Sequence, residues 1–327
     1  MRWLLTILSL SLLTVSSHAA LQSKYSDAGL TVDGFICVDA ATGAVLSQHT
    51  PDNPGHPASV TKLMTMLLVM EDLQAKRATL KQSVKITRQA TGVGGNQVWL
   101  AAGETFTLEE LLYALMLPSA NDAAVAIAID RAGSVPAFVQ KMNQRATELG
   151  MTRTHYVTPN GLTTGAGPHD TTTASDLAKL CVTLCKIPET LRFTGTQKYA
   201  FHHPQKTLDL ENHNHLLKDF PGCDGLKTGW TIAGKASIAT TAHDDQRRVI
   251  AVVLGCDSPL GAKPAQRLRD QLAGELMTEG LTKLAALELK KAQQVTPANA
   301  TPTKTVSPPK TTKEKGFWDW LVDLFSF

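Results

Sequence analysis

The chain has 327 residues, 43% of them hydrophobic, enough to build one large core or two modest ones. Its formal net charge of +3 is too small to point to a nucleic-acid partner. The basic excess is also uneven, with six lysines against one acid, Glu314, between Lys290 and Lys315.

In chain order, Arg2 precedes the apolar run Trp3–Val15 and then Ser16-Ser17-His18-Ala19-Ala20. A basic start, a short apolar stretch and small residues (Ser17, Ala19) before the break predict a cleavable secretory signal over residues 1–19. The run is short for a membrane span, which needs about 20 apolar residues. No cysteine marks the cleavage point, so lipoprotein processing is not expected. Residues 34–40 and 44–49 alternate around Thr42-Gly43 and predict a β-hairpin. A loop rich in proline follows, and Ser59 then opens a helix over the apolar run 60–73. Residues 105–117 and 121–132 carry helical patterns on either side of Pro118-Ser119-Ala120. Two more helices are expected over 136–149 and 173–185, the second opened by a Thr173–Asp176 capping box.

From Gly225 the pattern changes to strands, over 226–231, 236–242 and 249–255, with a turn at His243-Asp244-Asp245-Gln246. One helix from Pro264 to about Lys290 closes the globular part. Strands at both ends and helices between predict one α/β domain over residues 20–290, its antiparallel sheet assembled from both chain ends with an inserted helical lobe. Residues 291–315, poor in large apolar side chains and rich in proline, threonine and lysine, predict an extended linker. In residues 316–327, Asp319, Asp323 and Ser326 form a narrow polar stripe on an otherwise aromatic and aliphatic helix. Such a helix is suited to lie in a membrane interface, and the preceding lysines favour anionic lipid; docking on the domain or on a partner protein is the other use of that pattern.

The five cysteines (Cys37, Cys181, Cys185, Cys223, Cys256) are an odd number in an oxidising compartment. Most sit in apolar surroundings, where a thiol behaves as a small hydrophobe. Cys181 and Cys185, four apart on one helix, are poorly placed to bridge. No disulfide framework is expected.

Three short motifs carry chemistry. Ser59-Val60-Thr61-Lys62 places a lysine one helical turn from a serine, and the residues sharing its face, Met66, Val69 and Leu73, are apolar. A lysine buried there is pressed toward its neutral form, which can take a proton from the serine. The bland use of the same residues is an N-cap serine and a snorkelling lysine, as the meaningless Ser307-Pro308-Pro309-Lys310 warns. Ser119-Ala120-Asn121, the chain's one Ser-x-Asn, offers a second hydroxyl and an amide, or else simply caps a helix near Asp122. Lys227-Thr228-Gly229, also unique, puts a cation and a hydroxyl on a strand edge, suited to a carboxylate, with a glycine that admits an extended peptide.

In this order, Ser-x-x-Lys, Ser-x-Asn and Lys-Thr-Gly form the signature of penicillin-binding serine enzymes. Residues 57–65, 116–124 and 224–231, with Thr158-Pro159-Asn160-Gly161-Leu162 and Asn212–Leu217, resemble the low-molecular-mass D-alanyl-D-alanine carboxypeptidases over about residues 28–280. The resemblance implies a β-lactamase/transpeptidase-like fold and, outside the cytoplasmic membrane, hydrolysis of the terminal D-alanine from peptidoglycan stem peptides. It implies Ser59 as nucleophile, Lys62 as its base, and the backbone N–H groups of Ser59 and Trp230 as the oxyanion hole. Ser119 and Lys227 would return a proton to the departing D-alanine. Asn121 would hold the substrate amide, and Lys227 with Thr228 its carboxylate, beside Gly229. β-Lactams would acylate Ser59.

Two departures qualify the implication. The middle motif is Ser-Ala-Asn and no Glu-x-x-x-Asn occurs, which points away from class A β-lactamases. No length is left after residue 290 for the β-rich second domain many such carboxypeptidases carry, and shorter members include endopeptidases that cut D-alanyl cross-links. A penicillin sensor with negligible turnover is the alternative of another class. His202, His203, His213 and His215 cluster in sequence, and a His-x-His on a strand would turn both rings to one face, but no acidic or cysteine ligand accompanies them at metal-site spacing. No metal and no cofactor are expected.

Overall fold

The computed structural model describes residues 31–163, 167–203 and 206–295. The expected signal, the amphipathic end and all but the first residues of the expected linker lie outside them.

Gly34–Asp39 (β1) and Val45–His49 (β2) form the expected hairpin, turned through Gly43 at φ +76°. A single 3-10 turn, Ala58–Thr61, leads into helix α1, Lys62–Gln74. Residues 105–107 depart from the expected helix: Thr105–Thr107 (β4) pairs with Ser83–Lys85 (β3). The β-branched and aromatic Thr-Phe-Thr suits a strand, and the helix begins only where Thr107 and Glu110 close a full capping box. That helix is α2, Leu108–Met116. Next come α3, Asn121–Ala132, ended by Gly133 in the left-handed region, and α4, Val135–Glu148, capped by Ser134.

Helix α5, Ala174–Cys185, takes one half of the expected capping box. The Thr173 hydroxyl accepts the Asp176 N–H, but the Asp176 carboxylate instead accepts from Arg153 N and Thr154 Oγ1. Short helix α6, Pro188–Thr194, the hairpin of Lys198–His203 (β5) and Lys206–Glu211 (β6), and the single turn α7, Leu216–Asp219, had no legible pattern. Cys223–Thr231 (β7), Lys235–His243 (β8), Arg248–Cys256 (β9) and α8, Ala262–Val295, complete the described chain. From Lys283 onward the chain forms a separate unit, of which residues 283–295 are described, all within α8.

The main sheet runs β2-β1-β9-β8-β7, antiparallel throughout, so strands from both chain ends meet where β1 pairs with β9. Alternation along β1 assigns its faces. Ile36 and Val38 join the core of the helical lobe, together with Ile250, Val252 and Leu254 of β9. Cys37 and Val249 face α8, where a Cβ on Gly280 would stand 2.7 Å from the Cys37 Sγ. Covered on both sides, β9 reads as a continuous apolar run. The sheet and lobe share one core around α1, whose Leu63, Met64, Met66, Leu67, Val69 and Met70 are all buried. Each such side chain contributes roughly 1.5–3 kcal/mol, and together they fix the start of α1, and with it Lys62, against the sheet. None of the five cysteines is joined in a disulfide among the described residues.

Candidate active site

Ser59 lies in the 3-10 turn and Lys62 opens α1, so the serine and lysine of the first motif are stacked one turn apart. Lys62 Nζ is 3.0 Å from Ser59 Oγ, 2.8 Å from Asn121 Oδ1 and 2.8 Å from the Asn160 carbonyl oxygen. Three partners match the three positions of an amine: as ammonium it donates to all three, and as neutral amine it donates to two and accepts from the serine hydroxyl. Lys62 is wholly buried, so it does not snorkel. Burial, and then the Lys227 charge, press its ammonium well below the usual lysine range, while Asp170 and Asp122 pull the other way.

The second motif reaches the same point from the junction of α2 and α3. Ser119 adopts φ +64°, its hydroxyl is buried, and it has no hydrogen-bond partner among the described residues. It does not cap α3, whose N-cap is Ala120. An uncommitted buried hydroxyl on a strained backbone is expensive, and such features gather at functional sites. Asn121 is fixed at both ends. Its side chain accepts from Lys62 and donates to the Gly94 carbonyl at 2.9 Å, and its backbone N–H donates to the Asn96 carbonyl at 2.7 Å.

The third motif enters on β7. Lys227 and Thr228 are both buried, and Lys227 Nζ donates to the Thr228 carbonyl at 3.1 Å. Burial, with the Arg269 charge, brings its ammonium down from 10.5 to about 7. A Cβ on Gly229 would stand 2.7 Å from the Pro57 carbonyl oxygen and 3.0 Å from Ser59 N, so only glycine lets the strand approach the serine's turn this closely. Trp230 follows, 44% exposed. The structure thus brings together every candidate residue of the three motifs.

Ser59 sits between two adjoining hollows. One, about 540 Å³, is bordered by His56, Asn121, Leu162, His169 and Ile232. The other, about 270 Å³, is bordered by Ser119, His213, Thr228 and Arg269. Asn96 and Trp230 border both. The smaller hollow sets the Arg269 guanidinium among the hydroxyls of Ser59, Ser119 and Thr228 and suits a carboxylate; the larger is open to an extended peptide.

The histidine cluster disperses. His202 and His203 are on β5, His213 follows β6, and His215 is the N-cap of α7, so the strand premise for the His-x-His pair does not hold. Burial and the nearby Lys227, His215, Lys62 and Arg269 hold His213 down at about 4, which leaves a neutral imidazole beside the smaller hollow.

Several residues of the site have a role that the sequence did not assign. Asn160 contributes through its carbonyl, which any residue type could supply. Arg269 lies on α8, nearly buried, its guanidinium donating to Asp270 at 2.6 and 2.9 Å and to the Ser237 carbonyl. Two buried carboxylates, Asp122 and Asp170, brace the loops that bear Asn96 and Asn160. Asp122, next to the Ser-x-Asn motif, was findable by adjacency; Asp170 was not, since it meets Thr61 across 109 residues of chain.

A family model described as D-alanyl-D-alanine carboxypeptidase matches residues 22–258. The chain is 38% identical over 225 residues to D-alanyl-D-alanine carboxypeptidase DacF of Bacillus subtilis, covering 68% of this chain and 57% of that protein. It is 33% identical over 199 residues to a D-alanyl-D-alanine endopeptidase of Pseudomonas aeruginosa, covering 60% of this chain and 62% of that one. The fold superimposes with a TM-score of 0.66, at 27% identity, on penicillin-binding protein D2 of Listeria monocytogenes in its ampicillin-bound form, covering 76% of this chain and 97% of that chain. The chain spans 57–64% of the length of the curated carboxypeptidases DacF of Bacillus subtilis and DacD of Escherichia coli and Salmonella typhimurium.

Proposed function

The chain belongs to the D-alanyl-D-alanine carboxypeptidase family, and from that membership we propose that it is a serine acyl-enzyme that removes the terminal D-alanine from peptidoglycan stem peptides. The observation that carries this reading is the 3.0 Å contact between Ser59 Oγ and a buried Lys62 amine held well below its ordinary proton affinity. In the forward step the Ser59 proton passes to Lys62 Nζ as Oγ bonds to the carbonyl carbon between the two D-alanines. The backbone N–H groups of Ser59 and Trp230 receive the oxyanion. The C–N bond then breaks, and the departing amine takes a proton through Lys62, Ser119 or Lys227. Thr228, Lys227 and Arg269 hold the terminal carboxylate, and Gly229 leaves room for the substrate backbone. Water hydrolyses the acyl-enzyme and restores the serine and the lysine.

The same residues would open a β-lactam ring, as the ampicillin complex of the Listeria protein suggests by likeness. They would equally cleave a D-alanyl cross-link, and the likeness to the Pseudomonas endopeptidase keeps that second reading in view. The test uses purified residues 20–315 with an uncross-linked pentapeptide muropeptide and a D-alanyl cross-linked dimer, read by mass spectrometry. Loss of one alanine from the monomer with an intact dimer is expected. Dimer cleavage alone would make this an endopeptidase, and no change in either would move a penicillin sensor to the front.

An extracytoplasmic location follows from that substrate class and from the N-terminal signal pattern. Residues 316–327 would then hold the enzyme at the membrane surface by their aromatic face, after a linker over 291–315.

A further inference from the structure

Asp170 is buried, and the partners of its carboxylate are hydroxyls and backbone N–H groups. It accepts four hydrogen bonds. Oδ1 takes the N–H groups of Val157 and Thr158 at 2.7 and 2.9 Å, and Oδ2 takes the hydroxyls of Thr61 and Thr158 at 2.8 and 2.9 Å. Thr61 stands between Ser59 and Lys62 in the nucleophile turn. Thr158 begins the loop whose Asn160 carbonyl accepts from Lys62, and its hydroxyl accepts the Gly161 N–H at 2.8 Å. The two segments are packed tightly here, since a Cβ on Gly161 would stand 1.8 Å from the Ala58 carbonyl oxygen. One carboxylate therefore fastens the turn bearing Ser59 to the loop that completes the coordination of Lys62.

Four hydrogen bonds of this kind would be satisfied by a neutral amide too, so the bonds alone do not explain a charge in this place. Burying an unpaired carboxylate costs several kcal/mol, and here the surroundings give it a use. The titratable groups whose charges are felt at Lys62 are Lys227 from β7, His213 from the segment after β6, Asp122 from α3 and Asp170. Lys227 opposes a charge on Lys62, and the two carboxylates favour one. The proton that leaves Ser59 arrives on Lys62 as a second ammonium beside Lys227, and a fixed negative charge across from that pair stabilises it.

Resting on the assignment of Ser59 and Lys62 as nucleophile and base, we propose that Asp170 is a positioning residue for the proton transfer between them, joining the nucleophile turn to the Asn160 loop and supplying fixed negative charge opposite Lys62.

The substitution that separates charge from shape is Asp170→Asn. Its amide oxygen still accepts the two backbone N–H groups, and its NH₂ donates to the two threonine hydroxyls, which can turn to accept. The second-order rate of labelling by a fluorescent penicillin is measured from pH 4.5 to 10 on the wild-type full chain, on Asp170→Asn and on Asp170→Ser, each checked by thermal melting. Removing the charge should move the acid limb of the profile to lower pH by roughly half a unit to one unit, and lower the plateau. A plateau that falls with an unmoved acid limb would reduce Asp170 to a scaffold residue and overturn the proposal. So would failure of both variants to fold. Ser59→Ala, run in parallel, keeps the two questions apart: labelling that survives in it would bring down the nucleophile assignment, whatever the Asp170 profiles show.

Discussion

Gly229 on β7 and Ser59 in the nucleophile turn are so close that a single added carbon on the glycine would stand 3.0 Å from the serine's backbone nitrogen. Since that nitrogen is one of the two proposed oxyanion donors, the spacing of strand and turn enters the proposed acylation geometry. Gly229→Ala should displace the turn by a few tenths of an ångström and reduce acylation by a penicillin roughly 10–100-fold. Stopped-flow labelling and a melting curve check this; unchanged acylation in a folded variant would show that the donor does not matter.

Lys227 gives a prediction with a sign. Its ammonium is held at about 7 in the folded protein, against 10.5 for an ordinary lysine. A base with a lowered folded affinity binds fewer protons folded than unfolded between those two values, so stability rises with pH across that window. Below about pH 7 the full penalty is present, at most about 5 kcal/mol by the size of the displacement. Lys227→Met should therefore melt at a higher temperature than the wild type near neutral pH, with the gain shrinking toward pH 10, while carboxypeptidase turnover is lost. Melting temperatures across pH 6–10 test it, and a gain that does not vary with pH would refute the displaced titration.

Asp122 makes a second bracing prediction. Its buried carboxylate accepts the N–H groups of Val98 and Leu100 at 3.1 Å and of Ala123 at 2.9 Å, and so holds the loop that carries Asn96 to the rim of both hollows. Burial raises its own affinity for a proton despite these bonds. Asp122→Ala leaves buried N–H groups unpaired and should destabilise the protein by about 2–4 kcal/mol. Limited proteolysis should find a new cleavage near residues 93–100. Wild-type resistance there would show that the loop is held by other means.

The tail is tested apart from the chemistry. Deleting residues 316–327 should release the enzyme from anionic vesicles and from membrane fractions while leaving hydrolysis of a soluble peptide intact. Retention of the truncated protein on membranes would remove the anchor from the account.

The three motifs were legible because each is short and lies in a pattern that the sequence also marks: a turn before an apolar helix, Pro118 between two helices, and a strand run that the structure extends back from Leu226 to Cys223, so that Lys227 stands in mid-strand. The register that makes Ser59 and Lys62 neighbours is a property of one helical turn, and it emerged directly. What was hidden is whatever depends on long-range contact. The Asn160 carbonyl, the Thr61–Asp170 bond and Arg269 join residues from distant parts of the chain, and no local pattern encodes those encounters. Strand β4 was hidden for the opposite reason. Three residues are too few to show a period, and the helical pattern that follows them absorbed them. Likewise β5 and β6 form a separate two-stranded ribbon, with only Phe201 and Leu210 buried among their twelve residues.

The pairing of β1 with β9, from Gly34 opposite Leu254 to Asp39 opposite Val249, governs the order in which this chain can fold. The central hydrogen bonds of the sheet join segments more than two hundred residues apart, a slow kind of contact to form. Until β9 has emerged, β1 has only β2 beside it, and the β7–β8 ribbon that carries Lys227 has no strand to join it to β1. On the proposed roles, a nascent chain that stops short of β9 holds Ser59 and Lys62 but should not yet be acylated by a penicillin. Reactivity with a penicillin should therefore appear only with synthesis of the last sheet strand, once nearly the whole domain is present.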